Sequence, residues 1–327
     1  MKSPEHSSMR ETDNNVQDVG FILIPGFALM CYASAVEPLR AVNLLAGREL
    51  YRVHVYSPSG ELVPSSSGAV VPAEPLVSAR RDRLHSLFVI AGGHPSGWQW
   101  PAVHASLRAF ERDGVTIGGI SGGPYLLAAA GLLADHRFTI HWEHAPALIE
   151  DFPGLKPEQA RYIFDRNLLT CGGGVAPLDM MHALISARFG PAFATRVSDW
   201  YLHTHVASSA EPQRASLAER HGLHHPALLA VLEKMEATIE HPLDRDAMAR
   251  FAGITPRHLD RLFAEHLSST FLQEYRRLRL EHARKLLQQS ALSVSEIAFA
   301  CGFASPAHFA RRYRELYGTT PKKGRSL

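Results

Sequence analysis

From Val19 onward, short runs of consecutive apolar residues alternate with longer stretches in which apolar positions recur at helical spacing. Gly20 to Pro25 (GFILIP), Tyr51 to Ser57 (YRVHVYS), Leu87 to Ala91 (LFVIA), Val115 to Ile120 and Phe138 to His141 predict strands. The stretches Ala28 to Leu45, Ala102 to Arg112, Tyr125 to Leu133, Ala176 to Ala187 and Phe193 to His203 predict helices. Tyr162 to Phe164 and Leu168 to Thr170 predict an added hairpin. Strands that are apolar throughout are buried on both faces, and the intervening helices allow parallel crossovers. The first part of the chain therefore predicts an α/β sandwich with a mostly parallel sheet, whose ligand crevice lies at the carboxyl ends of the strands.

Residues 206–226 lose this pattern and gather polar, His and Pro residues, as a linker does. Beyond them no strand-like alternation remains, so residues 227–327 predict an all-α domain. This domain repeats itself. Met248, Ala249, Ala252 and Gly253 match Ile297, Ala298, Cys301 and Gly302 at an offset of 49. After one inserted residue, Thr255, Pro256, His258, Leu259, Arg261, Phe263 and Leu267 match Ser305, Pro306, His308, Phe309, Arg311, Tyr313 and Tyr317 at an offset of 50. Each copy reads as a helix, a glycine turn and a second helix with a Thr or Ser cap and Pro at its first position.

Composition adds a direction to this outline. The 327 residues suit two domains, and 46% hydrophobic with 20% charged residues is an ordinary globular composition. The net charge of +2 is uninformative, but its distribution is not. From Phe271 to the end, eleven Lys or Arg face four Asp or Glu, which gives that end +7 and the remainder −5. Such an asymmetry points to a polyanion-binding domain. Cys31, Cys171 and Cys301 offer neither a disulfide framework nor metal-ligand spacing, which fits a reducing, cytoplasmic setting. No apolar run is long enough to span a membrane, and the polar residues 1–17 read as a loose leader. No cofactor and no metal are expected.

In the repeat, Leu259, Leu262 and Phe263 form a buried stripe that leaves Arg257, His258 and Arg261 outward. The second copy turns Phe309 and Tyr313 inward and presents Ala307, His308, Arg311 and Arg312. A short capped helix carrying basic residues, braced by a partner helix, has the shape of a recognition helix for the major groove of double-stranded DNA. Arginine can read guanine through its planar fork, whereas the tail lysines of PKKGR supply charge. The bland alternative is a protein-interaction domain with a solvated basic face.

At the predicted sheet edge, Gly119-Ile120-Ser121-Gly122-Gly123 satisfies the nucleophile-elbow pattern between a strand and a helix. Ser121 is then either a nucleophile or a helix cap, and the nearest well-placed base is His141. Trp98 and Trp100 follow Gly92 and Gly93, and Trp142 follows His141; these indoles either fill core or build a cage for a cationic nitrogen. Asp179, one turn into its helix, caps, braces the loop or contacts a ligand, while Cys171 reads as buried rather than redox-active.

Residues 240–325 resemble the DNA-binding domain of the AraC/XylS transcription regulators, most specifically at GFASPAHFARRYRELYGTTP. Residues 18–205 resemble the PfpI-like (flavodoxin-like) domain of the GlxA group of those regulators, through VGFILIPGFALMCYASAVEPLRAVN, GGISGGPYLLAAAGLLADHRFTIHWEHAPAL and RNLLTCGGGVAPLDMM. The resemblance implies two DNA-reading helices, dimerisation through the N-terminal domain and contact with RNA polymerase if the regulator is an activator. Catalytic PfpI-like domains pair an elbow cysteine with a glutamate of the first helix and a histidine. The corresponding residues here are Ser121, Glu37 and His141. Loss of the elbow thiol implies a sensor rather than an enzyme, with a small amine, amino acid or quaternary ammonium as effector. The alternative is a hydrolase or lyase using Ser121.

Overall fold

The structure is a computed structural model that describes residues 15–215, 217–290 and 292–325. Two compact units divide between Gln213 and Arg214. The first opens with β1 (Gln17–Leu23), α1 (Leu29–Ala46), β2 (Tyr51–Ser57), β3 (Glu61–Pro64), β4 (Val70–Pro75) and β5 (Leu84–Ala91). It continues through α2 (Pro101–Arg112), β6 (Thr116–Ser121), α3 (Gly123–Ala129), α4 (Ala145–Asp151), β7 (Tyr162–Asp165), β8 (Leu168–Cys171), α5 (Ala176–Phe189) and α6 (Pro191–Trp200). The sheet order is β3-β4-β2-β1-β5-β6-β8-β7, parallel except for the hairpins β3-β4 and β7-β8 at its two edges.

Each face of the sheet carries its own core, as continuous apolar strands require. On one face Phe21 stacks on Phe88 at 5.4 Å between ring centres, and α1, α5 and α6 cover them with Leu39, Met180 and Phe193. On the other, Trp98, Leu107, Leu126 and Leu148 close over Val89 and Ile117. Side chains of this size each contribute about 1.5–3 kcal/mol on full burial.

Three expectations change. Phe138 to His141 is extended but is not a strand, because both edges of β8 are already taken, by β6 and β7. Thr139 instead donates its N–H to the Thr170 hydroxyl at 3.0 Å and its own hydroxyl proton toward the carbonyls of Glu158 and Ala160. The edge hairpin β3-β4 has no continuous apolar run and escaped the hydrophobic pattern. Gln17, assigned to the leader, opens β1; leader residues 1–14 lie outside the described residues. The 206–226 stretch straddles the boundary between the units, with Ala207 to Gln213 bonded into the first.

The second unit contains α7 (Leu217–His221), α8 (Pro226–Ala237), α9 (Arg245–Phe251), α10 (Pro256–Leu267), α11 (Phe271–Gln289), α12 (Val294–Ala300), α13 (Pro306–Tyr317) and α14 (Pro321–Gly324). Its two small cores reproduce the sequence repeat. One joins Leu228, Met248, Leu259, Leu262 and Phe263, the other Leu287, Ile297, Phe303, Phe309 and Tyr313. The long α11 belongs to both, through Phe271 and Tyr275 at its start and Leu280 and Leu287 further on. The caps form as the sequence requires: Thr255 accepts from the His258 N–H and Ser305 from the His308 N–H, each worth about 1 kcal/mol. Gly253 and Gly302 make the turns at φ +66° and +69°, left-handed values that favour glycine.

Candidate functional site

Three loops meet at the carboxyl ends of β1, β6 and β8. Ser121 ends β6 with φ +60°, a left-handed conformation that costs a non-glycine residue about 1–3 kcal/mol and marks a true elbow. Beside its side chain stands the thiol of Cys31, which α1 brings in on its first turn. The Gly174 N–H donates to the same sulfur at 3.0 Å. Gly173 passes so close that a Cβ there would lie 2.8 Å from the Ser121 Cβ and 3.1 Å from the Cys31 sulfur. Burial pushes the Cys31 thiol up, outweighing the hydrogen bonds from Gly174 and Ser121, so it is a neutral thiol.

His141 borders this elbow through its backbone, donating its N–H to the Ser121 carbonyl at 3.3 Å. Its Nδ1 accepts from the Glu143 N–H at 3.3 Å, which leaves the ring proton on Nε2. Burial lowers the His141 pKa, with the Glu143 carboxylate 3.9 Å away opposing, and the ring is neutral near pH 7. The Trp142 ring sits beside it at 5.3 Å, partly exposed. His141 thus borders Ser121 and has Trp142 beside it, and Cys31 joins them unanticipated.

Glu37 is not at the elbow. It lies six residues beyond Cys31, about 9 Å along the helix and turned well away around its axis. Its carboxylate, 42% exposed, accepts from Arg40 at 2.7 Å and from the Tyr201 hydroxyl at 3.0 Å. The residue that α1 lays against the elbow is Cys31, a position the glutamate correspondence concealed. Trp98 is corrected as well. It is 1% exposed, donates its indole N–H to the Gly92 carbonyl at 3.0 Å and packs edge-on against Tyr125 and His144, so no face is left for a cage. Asp179 is fully buried and saturated: Arg161 donates to it at 2.6 Å and 3.0 Å, the His203 Nε2 lies at 2.8 Å, and the Ala207 N–H donates at 2.9 Å. It braces the chain leaving α6 and has no capacity left for a ligand.

A cavity of about 440 Å3 opens at the amino ends of the strands among Val19, Phe88, Leu169 and Met181. The arginines at its rim already donate to backbone carbonyls, Arg188 to Leu50 and Arg166 to Asp135.

In the second unit α10 presents Arg257 and Arg261, both exposed and one turn apart, opposite its buried stripe. At the matching positions α13 presents Ala307 and Arg311, both exposed. His258 and His308 are half-buried. The His308 Nε2 accepts from the Arg312 Nε at 3.3 Å, and burial followed by the charges of Arg311, Arg312, Arg276 and Arg279 lowers its pKa. Arg312 is also held by Glu315 at 2.7 Å. Not every basic residue counted from the sequence faces outward. Arg279 lies over the Phe303 ring and donates to the Cys301 carbonyl at 2.7 Å, so it braces the second reading unit.

Among the described residues no group of His, Cys, Asp and Glu could hold a metal ion, and no helix is long and apolar enough to cross a membrane. An elbow-bearing α/β domain followed by paired, capped reading helices defines a one-chain DNA-binding regulator. The comparisons agree. Residues 18–187 match the DJ-1/PfpI family and residues 248–326 a helix-turn-helix domain. The HTH-type transcriptional regulator GlxA of Rhizobium meliloti is 60% identical over 308 residues, 94% of this chain and 95% of the relative. The HTH-type transcriptional regulator CdhR of Pseudomonas aeruginosa is 39% identical over 95% of this chain and 92% of its own. The crystal structure of an AraC family transcriptional regulator from Pseudomonas putida superposes with a TM-score of 0.53 at 26% identity, covering 57% of this chain and 99% of that one. The chain belongs to the AraC/XylS family of helix-turn-helix transcription regulators, in its GlxA-like branch with an N-terminal DJ-1/PfpI domain. It is a sequence-specific DNA-binding transcription regulator.

Proposed function

We propose that this regulator is a cytoplasmic activator of catabolic genes that binds promoter DNA as a homodimer, paired through its first unit, and engages RNA polymerase there. Its effector is a small nitrogen-containing metabolite held at the elbow crevice. The observation that carries this reading is the elbow itself. Ser121 keeps its strained backbone, yet the group beside its side chain is a neutral thiol. A costly conformation retained without nucleophilic machinery fits a binding site. Ser121, Cys31 and the Nε2–H of His141 supply polar contacts, Trp142 an aromatic face and Glu143 a negative charge for an ammonium group.

On DNA, Arg257 and Arg261 of α10 and Arg311 of α13 are the base readers, with Ala307 suited to a thymine methyl. His258, His308 and Arg312 set the edges of the two readers, Arg312 toward phosphate. Two different reading faces call for two different half-sites, the first richer in guanine.

The test is a thermal-shift panel of amino acids, amines and betaines on the full chain, followed by footprinting of neighbouring promoters with the compound that stabilises it. A compound that raises the melting temperature, alters the footprint and loses affinity in Trp142→Ala supports the reading. Stabilisation that leaves the footprint unchanged contradicts it.

A further inference from the structure

The residue that closes the first unit is plugged into it. Gln213, immediately before the boundary at Arg214, inserts its carboxamide into a socket behind the elbow. Its Nε2 donates toward the Thr139 hydroxyl at 2.9 Å, the Ile140 carbonyl at 2.9 Å and the Ala160 carbonyl at 2.7 Å. Its Oε1 accepts the Trp142 N–H at 2.8 Å. Oxygens surround the nitrogen and an N–H faces the oxygen, so the amide has one chemically sensible orientation. The fit is close: a Cβ on Gly172 would stand 2.5 Å from the carboxamide carbon.

The socket is joined to the elbow through the backbone. Trp142 gives its N–H to Gln213, and its neighbour His141 gives its N–H to the Ser121 carbonyl. One short backbone segment thus spans the strained elbow and the last residue before the second unit. The preceding stretch is tied to the same side of the sheet, where Ala207 bonds to Asp179 and the Ser209 carbonyl accepts from the Arg161 N–H.

We propose that Gln213 is the positioning residue that passes the state of the elbow crevice to the chain entering the DNA-binding unit. An occupant that displaces His141 and Trp142 moves both polar ends of the socket, and the plug must follow or leave. Coupling of this kind is reciprocal, so releasing the plug loosens the crevice by the same free energy. The inference rests on reading the elbow as the effector site, but its test needs no effector.

Trypsin cleavage after Arg214 in the full chain, followed by mass spectrometry, reports release of the plug. In Gln213→Glu a carboxylate would face three oxygens, and cleavage at alkaline pH should accelerate about tenfold, falling back toward wild type as the acid is protonated. Ser121→Thr, which strains the elbow by placing a β-branched residue at positive φ, should accelerate the same cut about fivefold with its melting temperature largely kept. Cleavage unchanged in Gln213→Glu shows that the plug holds nothing, and cleavage unchanged in Ser121→Thr shows that it is not coupled to the elbow; either result overturns the proposal. Should a variant not fold, hydrogen exchange of the unaltered chain decides: segments 139–143 and 206–213 should open with one common protection, and independent opening contradicts the coupling. If coupling is found but no compound acts through the crevice, the effector reading fails and the linkage stands.

Discussion

The Cys31 thiol stands against Ser121 beneath the Gly173-Gly174 loop, which places a thiol at the elbow from α1 rather than from the elbow itself. A sulfur there is not a nucleophile, because burial holds it protonated. Burial also raises the thiols of Cys171 and Cys301, the latter to about 12. All three cysteines are free and buried. A native-state thiol titration at about pH 8 should therefore leave all three unreacted on the timescale in which denaturant exposes them. Rapid reaction of Cys31 in the folded chain would contradict this account of the elbow.

Trp98 carries structural weight. Its indole fills the space beside Tyr125, His144 and Gly122, and a Cβ on Gly122 would come within 2.4 Å of it. Trp98→Ala should cost the first unit about 3–5 kcal/mol, since the cavity adds to the lost transfer energy. Denaturant unfolding of the first unit measures it, and an unchanged midpoint would return Trp98 to the surface.

The second unit should weaken in acid through His282. Burial, with Lys285 adding to it, pushes this imidazole of α11 from 6.5 down to about 4. The unfolded chain takes up the proton first, so the stabilising contribution is full above about pH 6.5 and is lost progressively as pH falls toward 4. His282→Gln should flatten the fall in the urea midpoint across that window. An equal fall in both proteins would assign it to other groups.

The sequence made the second unit legible because repetition registered twice what each helix does: Thr255 and Ser305 cap, Leu259 and Phe309 face inward, and the turn glycines recur. Strands β1 and β5 were legible because burial on both faces leaves an unbroken run without charge, Val19 to Leu23 and Leu87 to Ala91. The edge hairpin β3-β4 was not, since Glu61, Leu62 and Val70 are exposed and local chemistry there is mixed. Around the elbow the pattern located Ser121, but Glu37 was assigned by family resemblance and Trp98 by residue type. Only the phase of α1 and the packing of the loop after β5 decide that Cys31 meets Ser121 while Trp98 turns inward. Gln213 had no local signal, because its partners lie 53 to 74 residues away.

The central claim is that two dissimilar helices read promoter sequence. It is tested most directly by measuring binding of the full chain, Arg261→Ala and Arg311→Ala to the cognate promoter duplex and to a scrambled duplex at one salt concentration. Each substitution should cost about 1–3 kcal/mol on the cognate duplex and much less on the scrambled one, because a bidentate contact to guanine is lost only where the guanine is present. Equal losses on both duplexes would contradict base reading by α10 and α13 and reduce these arginines to phosphate contacts.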